Sequence, residues 1–308
     1  MPWTEADIPQ LDGKTAVVTG GNAGLGLETV RALAGANADV ILAARNPEKA
    51  KAAREQVLGS VPSAKVETVE MDLASLDSVR RAAAVISERS PKLDLLVNNA
   101  GVMALPEEKT EDGFEMQFGI NHLGHWALTS LLMPSLLAAP AARVVTVTST
   151  AHHFGRSVDP GNPHLHGRYR PWRAYFQSKL ANFHFGIGLE RQFEATGVSA
   201  ASLIAHPGLS NTELQGKSVE ETGDLTARFF HWLAGSTGMQ PAAGALPQLR
   251  ASTDPKARGG QFYAPRFGNF GPPVKRPILR RVGLSRAIDR LWEVSEAETG
   301  IPLEIKPS

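Results

Sequence analysis

Tyr175 and Lys179 stand four residues apart in "YFQSK". The stretch reads as helix, so both side chains lie on one face. A free phenol has a pKa of about 10, too high for easy proton exchange near neutral pH. An ammonium alongside favours the phenolate and pulls that value down. A shift of roughly three units corresponds to about 4 kcal/mol of differential stabilisation. Tyrosine and lysine also meet at this spacing by chance in many helices. The rest of the chain decides whether the pair does chemistry.

The elements that must position the pair are legible upstream. "TAVVTG" is a short buried strand opening into "TGGNAGLG", with Gly20, Gly24 and Gly26, and then "LETVRALAGA" in helical rhythm. Strand, glycine turn and helix form the first unit of a dinucleotide-binding fold. The glycines let backbone N–H groups approach a pyrophosphate, and the helix N-terminus favours its charge. The spacing is G-x-x-x-G-x-G, not the usual G-x-G-x-x-G. No Gly-Lys-Ser/Thr closes the turn, so it is not a P-loop. Alone, it also fits a plain tight connection. Further on, "LDLLVNNAG" (93–101) is a hydrophobic strand ending in asparagines. "RVVTVTS" (143–149) is another, delivering Ser149 at its C-terminal end. Ligands in open α/β sheets bind at those ends.

Strands are expected near 15–20, 38–44, 64–70, 93–99, 143–149, 198–205 and 260–263. Helices are expected near 24–35, 47–58, 75–89, 112–137 and 172–195. Such alternation predicts an α/β fold: one Rossmann domain over 1–308, with a seven-stranded, mostly parallel sheet and helices on both faces. The 308 residues, 42% of them hydrophobic, permit a substantial core. With no cysteine there is no disulfide, thiolate metal site or cysteine nucleophile. No run of about 20 apolar residues suggests a spanning helix. The N-terminus "MPWTEADIPQ" is acidic and polar, unlike a signal peptide. A net charge of +1 argues against a general nucleic-acid binder. A soluble, cytoplasmic protein is expected.

Taken together, "TGGNAGLG", "NNAG", the serine after the fifth strand, "YFQSK" and "HPGLSNT" resemble the short-chain dehydrogenase/reductase family. The motifs stand in family order over roughly residues 13–265. "NHLGHWALT", "TSTAHH" and "SKLANFHF" resemble its retinol-dehydrogenase-like branch, which includes relatives of protochlorophyllide reductase and the WW-domain oxidoreductase. The resemblance implies a catalytic set of Asn121, Ser149, Tyr175 and Lys179. Ser149 would hold a substrate carbonyl, with Thr148 and Thr150 as neighbouring alternatives and strand-end capping as the plainer role. Tyr175 would be general acid in reduction and base in oxidation. Lys179 would tune Tyr175 and bind the nicotinamide ribose. Asn121 would bend a helix and help hold a proton-relay water. The implied cofactor contacts are Gly20, Asn22, Gly24, Leu25, Gly26, Arg45, Asp72, Leu73, Asn99, Ala100, Gly101, Tyr175, Lys179, Pro207, Gly208 and Thr212. Asp72 would accept from the adenine, although it could also serve beside Ser75 in capping a helix.

Cofactor choice is read after the second strand. An acid there would grip a ribose 2′-hydroxyl and repel a 2′-phosphate. Ala44 takes that position and Arg45 follows, and the planar guanidinium suits phosphate. NADP is therefore favoured over NAD. Family members that prefer NADP often carry a second basic residue in the glycine turn, where this chain has Ala23.

Three stretches remain to shape substrate choice: the insertion 150–171, a segment at about 209–240, and a C-terminal extension at about 266–308. In "LTARFFHWLAG", Leu225, Phe229, Trp232 and Leu233 fall on one helical stripe. That stripe would either pack on the sheet or cover a greasy substrate as a lid. A lipophilic small molecule is the expected partner. His152, His153, His164 and His166 show no spacing that would make a metal site, and no metal is expected. Ser149 is not in a G-x-S-x-G elbow, which disfavours a serine hydrolase. The basic run Lys275, Arg276, Arg280, Arg281, Arg286 and Arg290 reads as a solvated face, with peripheral attraction to an anionic membrane as the alternative. The leading function is an NADP(H)-dependent oxidoreductase. The alternatives are a catalytically silent dinucleotide-binding regulator and a carbon–carbon double-bond reductase.

Overall fold

The computed structural model describes residues 2–208, 239–279 and 282–306. The strands are β1 (Thr15–Thr19), β2 (Asp39–Ala44), β3 (Lys65–Glu70), β4 (Leu95–Asn98), β5 (Arg143–Val147), β6 (Ala201–Ala205), β7 (Phe262–Pro265) and β8 (Pro273–Arg276), the central ones rich in apolar residues. They make one sheet in the order β3-β2-β1-β4-β5-β6-β7-β8. Every neighbouring pair is parallel except β7–β8, which is antiparallel. The longer helices are α1 (Gly24–Gly35), α2 (Pro47–Ser60), α3 (Leu76–Arg89), α4 (Gly124–Leu137), α5 (Pro171–Thr196), α6 (Pro241–Thr253) and α7 (Leu284–Thr299).

Successive strand residues point to opposite faces of the sheet. Val17, Ile41, Leu96 and Val144 pack with residues of α3, α4, α5 and α7, including Trp126, Phe185 and Leu291. Ala16, Val18, Leu42 and Val97 pack instead with residues of α1, α2 and α6, including Leu33, Val57 and Leu249. Both faces are covered, as a parallel sheet requires. The strand order reverses between β1 and β4, and that reversal opens a crevice at the strands' C-terminal ends.

Three expectations change in detail. The sheet has an eighth strand, β8, which "PVKR" conceals. It is short, opens with proline and lacks apolar alternation, all tolerable only at an edge. The seventh strand runs at 262–265, not 260–263, because Gly260 turns there with φ of 71°. The helix expected from 112 begins at Met116, with a turn at Met116–Phe118 and a π-helical turn at Gly119–Leu123 before α4. Gly113 has φ of 87°, and the Glu115 carboxylate accepts the N–H groups of Gln117 and Phe118 at 2.8 and 2.7 Å. The helix is therefore capped at Glu115.

The C-terminal stretch lays α7 over α5 and the π turn. His122 Nε2 meets Ser295 Oγ at 2.8 Å, and Trp126 donates to the Ile301 carbonyl at 2.9 Å. The segment at 209–238, with Thr212, Leu225, Phe229, Trp232 and Leu233, lies outside the described residues, so the stripe and lid expectations do too. No described helix is long and apolar enough to cross a membrane.

Candidate active site

The glycine turn leaves β1 with Gly20 at φ 65° and Gly24 at φ 52°, both left-handed. A Cβ at Gly26 would lie 2.2 Å from the Gly20 carbonyl oxygen and 2.7 Å from Asn99 Nδ2. Only bare backbone lets this turn close against the end of β4. A groove of about 360 Å³ results, lined by Gly20, Asn22, Gly24, Leu25 and Gly26, with Arg45, Lys49, Asn99, Ala100 and Gly101 around it. It runs into a second of about 150 Å³, which shares Arg45, Ala100 and Gly101 and adds Ala44, Asp72 and Leu73. Joined through shared residues and bordered by the glycine turn before α1, the pair of grooves fits a dinucleotide.

Arg45 reaches the groove from the end of β2 and lies 3.9 Å from Asp72 Oδ2. Lys49, one helical turn further along α2, lines the same wall. The second basic residue missing from the glycine turn at Ala23 is thus supplied by α2. Its trace in the sequence was a lysine in the first turn of the helix that follows Asn46. Asp72 also accepts from the Ala74 N–H at 2.9 Å, and Ser75 is the N-cap of α3. Pro207 and Gly208 follow β6. The Gly208 N–H donates to His206 Nδ1 at 3.1 Å, and a Cβ on Gly208 would meet the Asn269 carbonyl at 2.4 Å.

Tyr175 and Lys179 are buried on one face of α5, with the Lys179 ammonium 5.9 Å from the Tyr175 ring centre. A Cβ at Gly101 would lie 3.1 Å from Lys179 Nζ, so the ammonium ends at the floor of the dinucleotide groove. Ser149 sits two residues past β5, half-buried, and its side chain is hydrogen-bonded to Tyr175. Ser149 Oγ also accepts from the Ala151 N–H at 3.2 Å, so it caps and faces the tyrosine at once. The neighbouring Thr148 is buried, and its hydroxyl donates to the Lys179 carbonyl at 2.6 Å. That bond ties β5 to α5.

The electrostatics depart from the expected lysine effect. Burial pushes the Tyr175 phenol above its ordinary value, and the Ser149 hydrogen bond opposes this. Burial also lowers Lys179 to about 8. Desolvation disfavours the charged form of each group and is the leading cause of both shifts.

Asn121 is buried in the π turn. Its Oδ1 accepts from the Val102 N–H at 2.7 Å, and its Nδ2 donates to the Val102 carbonyl at 2.9 Å and to Ser178 Oγ at 2.8 Å. Both amide hydrogens are therefore engaged within the protein, clamping the loop after β4 to α5.

Sequence reasoning missed Thr19 and His125, which join the two halves of the site. The Asn121 carbonyl can only accept, so the contact at 3.0 Å assigns the proton to His125 Nδ1. His125 Nε2 then accepts from the Thr19 hydroxyl at 2.8 Å. Thr19 Oγ1 in turn accepts the N–H groups of Asn99 and Ala100, each at 2.9 Å. Burial lowers His125 to about 4, so the ring is neutral. A histidine four residues beyond Asn121 was visible, but its partner lies 106 residues away. The insertion histidines serve packing: His152 stacks on Phe183 at 4.4 Å, and His164 Nε2 meets Glu298 at 3.0 Å. Among the described residues no three His, Cys, Asp or Glu side chains are grouped to hold a metal.

Comparison with known proteins agrees with this geometry. The family model described as short chain dehydrogenase matches residues 14–223. Human retinol dehydrogenase 13 is 44% identical over 212 residues, covering 68% of this chain and 62% of that protein. The matched stretch thus spans less than two thirds of that relative. The short-chain dehydrogenase/reductase prx1 of Penicillium roqueforti is 41% identical over 302 residues, 94% of this chain and 85% of its own. A crystal structure of an uncharacterised protein from Mycobacterium paratuberculosis has a TM-score of 0.81 at 38% identity, covering 99% of this chain and 100% of that one. The chain belongs to the short-chain dehydrogenase family, in its retinol-dehydrogenase-like branch.

Proposed function

We propose that this short-chain dehydrogenase is an oxidoreductase that uses NADP(H) on a carbonyl or alcohol carbon of a lipophilic molecule, with Tyr175 moving the proton. The observation that carries this reading is Tyr175 itself, buried between the Ser149 side chain and the Lys179 ammonium beside the dinucleotide groove. The bound dinucleotide would supply or accept the hydride.

The chain's residues divide the remaining work. Ser149 orients the substrate oxygen toward Tyr175. Burial keeps the phenol protonated near neutral pH, which suits it to donate during reduction. Lys179, reaching Gly101, would hold the ribose and stabilise the phenolate left after donation. Asn121, His125 and Thr19 keep the loop after β4 and the π turn in register. Arg45 and Lys49, with no acid at Ala44, favour a 2′-phosphate and hence NADP over NAD. Asp72 and Leu73 would border the adenine, and Pro207 and Gly208 the nicotinamide. The same reading extends to Thr212.

For the substrate, support comes from the name of one relative, a dehydrogenase of retinol, which is a lipophilic alcohol. It also comes from Phe267 and Phe270, 62% and 54% exposed and 5.4 Å apart, on the β7–β8 turn that touches Gly208.

The test is Tyr175→Phe. With NADPH and a panel of hydrophobic aldehydes, followed by nicotinamide absorbance, turnover should fall roughly 10²–10⁴-fold while NADPH affinity stays within a few-fold. A variant that keeps most of the rate on a genuine substrate would overturn the assignment.

A further inference from the structure

Beside the catalytic helix lies an open groove of about 870 Å³ that the chemistry above does not use. Arg156, Arg168, Arg170 and Arg173 line it, with Phe154, Trp172 and Phe176. Among the described residues no carboxylate lines it, and none of the four guanidinium groups forms an ion pair. Like charges around one concavity repel at short range unless an anion neutralises them. The groove also sits at the N-terminal end of α5, a 26-residue helix whose cap residue Arg170 offers no side-chain acceptor. The helix end adds partial positive charge in the same place.

The aromatic side chains distinguish this groove from a merely solvated basic face. Phe154 is 72% exposed, and its ring centre is 5.6 Å from that of Phe176. Trp172 is 5.9 Å from Phe176. They form a greasy floor directly against the arginines. On α5, Trp172 and Phe176 make one i, i+4 row and Tyr175 and Lys179 make the next. The rows meet where the edge of Trp172 faces Tyr175, at 6.1 Å. The groove is thus a neighbour of the catalytic cleft, not part of it.

We propose that this groove binds a single anionic amphiphile: an oxyacid head held by the arginine forks, with an apolar tail on Phe154, Trp172 and Phe176. Arginine presents paired donors that match a phosphate or carboxylate. A small inorganic anion would leave the aromatic floor unused, and a neutral lipid would leave the arginines unpaired. The inference does not rest on the proposed reaction, since binding is read without cofactor or turnover.

Octyl phosphate, octanol and inorganic phosphate are titrated against the full chain by calorimetry, with Trp172→Phe showing how much of the accompanying tryptophan fluorescence change arises in the groove. Octyl phosphate should bind at least about tenfold more tightly than octanol, through its charge-assisted contacts, and than inorganic phosphate, through burial of its apolar tail. Arg168→Glu with Arg170→Glu should weaken it by more than about tenfold on the same argument. Phe154→Ala should weaken it by roughly threefold through lost apolar contact. Arg286→Glu with Arg290→Glu, on the surface of α7, should leave it unchanged. Most of the groove side chains substituted are exposed, so folding should persist, and far-UV circular dichroism checks it. Should the double reversal fail to fold, Arg156→Ala carries the same test. Equal affinity for inorganic phosphate, meaning an adventitious ion only, would overturn the proposal. So would indifference to the groove substitutions, or binding to phosphatidylglycerol vesicles without binding of dispersed octyl phosphate.

Discussion

On the dinucleotide side of Gly101 the site is made of backbone, whereas on the catalytic side it is made of side chains. At Gly26 there is no room for a Cβ, Gly20 and Gly24 hold left-handed backbone, and this turn lines the groove. Around Ser149, Tyr175 and Lys179, geometry comes from buried hydroxyls, an amide and an imidazole supplied by distant elements. A backbone site tolerates almost no substitution at its glycines. A side-chain site can lose one partner and hold its shape through the others. The two kinds of construction meet at Thr19, which ends β1 and bonds to both halves.

The largest effect should come from breaking the backbone half. Gly26→Ala would drive a methyl to 2.2 Å from the Gly20 carbonyl. The turn must open, and NADPH affinity should fall by more than about a hundredfold, as expected when preorganised phosphate-binding N–H groups are lost. Fluorescence titration checks this. Near-normal binding would show that the turn is softer than its contacts imply. Next comes the joint between the halves. His125→Ala frees the Thr19 hydroxyl and the Asn121 carbonyl, both buried, and should lower unfolding free energy by about 2–4 kcal/mol. Turnover should suffer more than NADPH affinity, because Asn121 and α5 move together. His125→Gln, which can donate and accept, should recover part of both. If the Ala variant melts like the parent protein, the network is not structural.

A smaller effect separates the two cations of the groove. Removing one charge-assisted contact costs about 1.5–3 kcal/mol. Arg45→Ala should therefore lose most of the preference for NADPH over NADH, and Lys49→Ala a lesser share, read as the ratio of dissociation constants. Equal affinities for the two cofactors in the parent protein would remove the argument at its root.

The same contrast explains what was legible in the sequence. The glycine spacing, the strand ends at Asn99 and Ser149 and the Tyr175–Lys179 interval are local, and each stands at its expected place in the fold. Lys49 was local too, but a lysine one turn into an exposed helix reads as solvated until β2 is seen to aim it at the groove. The π turn at Gly119–Leu123 was not legible from composition, since nothing in "GINHL" departs from that of a helix, although the family resemblance implied a bend at Asn121. Its cause lies elsewhere, in the pull of Val102 and Ser178 on Asn121 and of Thr19 on His125. The choice of Ser149 over Thr148 likewise turns on a carbonyl of α5 that only the tertiary fold brings near. The strand β8 escaped because an edge strand need not alternate.

The smallest expected effect concerns the charge on Lys179. A lone lysine in water stays charged well past neutrality, but burial lowers this one to about 8. Its ammonium is therefore present below about pH 8 and absent above it. If that charge grips the cofactor ribose, NADPH affinity should weaken several-fold across that value, and the rate of carbonyl reduction with it. The phenol does not contribute to this limb, because burial moves Tyr175 the other way, above its ordinary value. Lys179→Arg provides the check, since a guanidinium keeps its charge through this range. That variant should bind NADPH less well overall, for its longer, planar head cannot end at Gly101 as the ammonium does, yet its affinity should be flat with pH. An identical alkaline limb in the arginine variant would assign the titration to another group and leave Lys179 only a packing role.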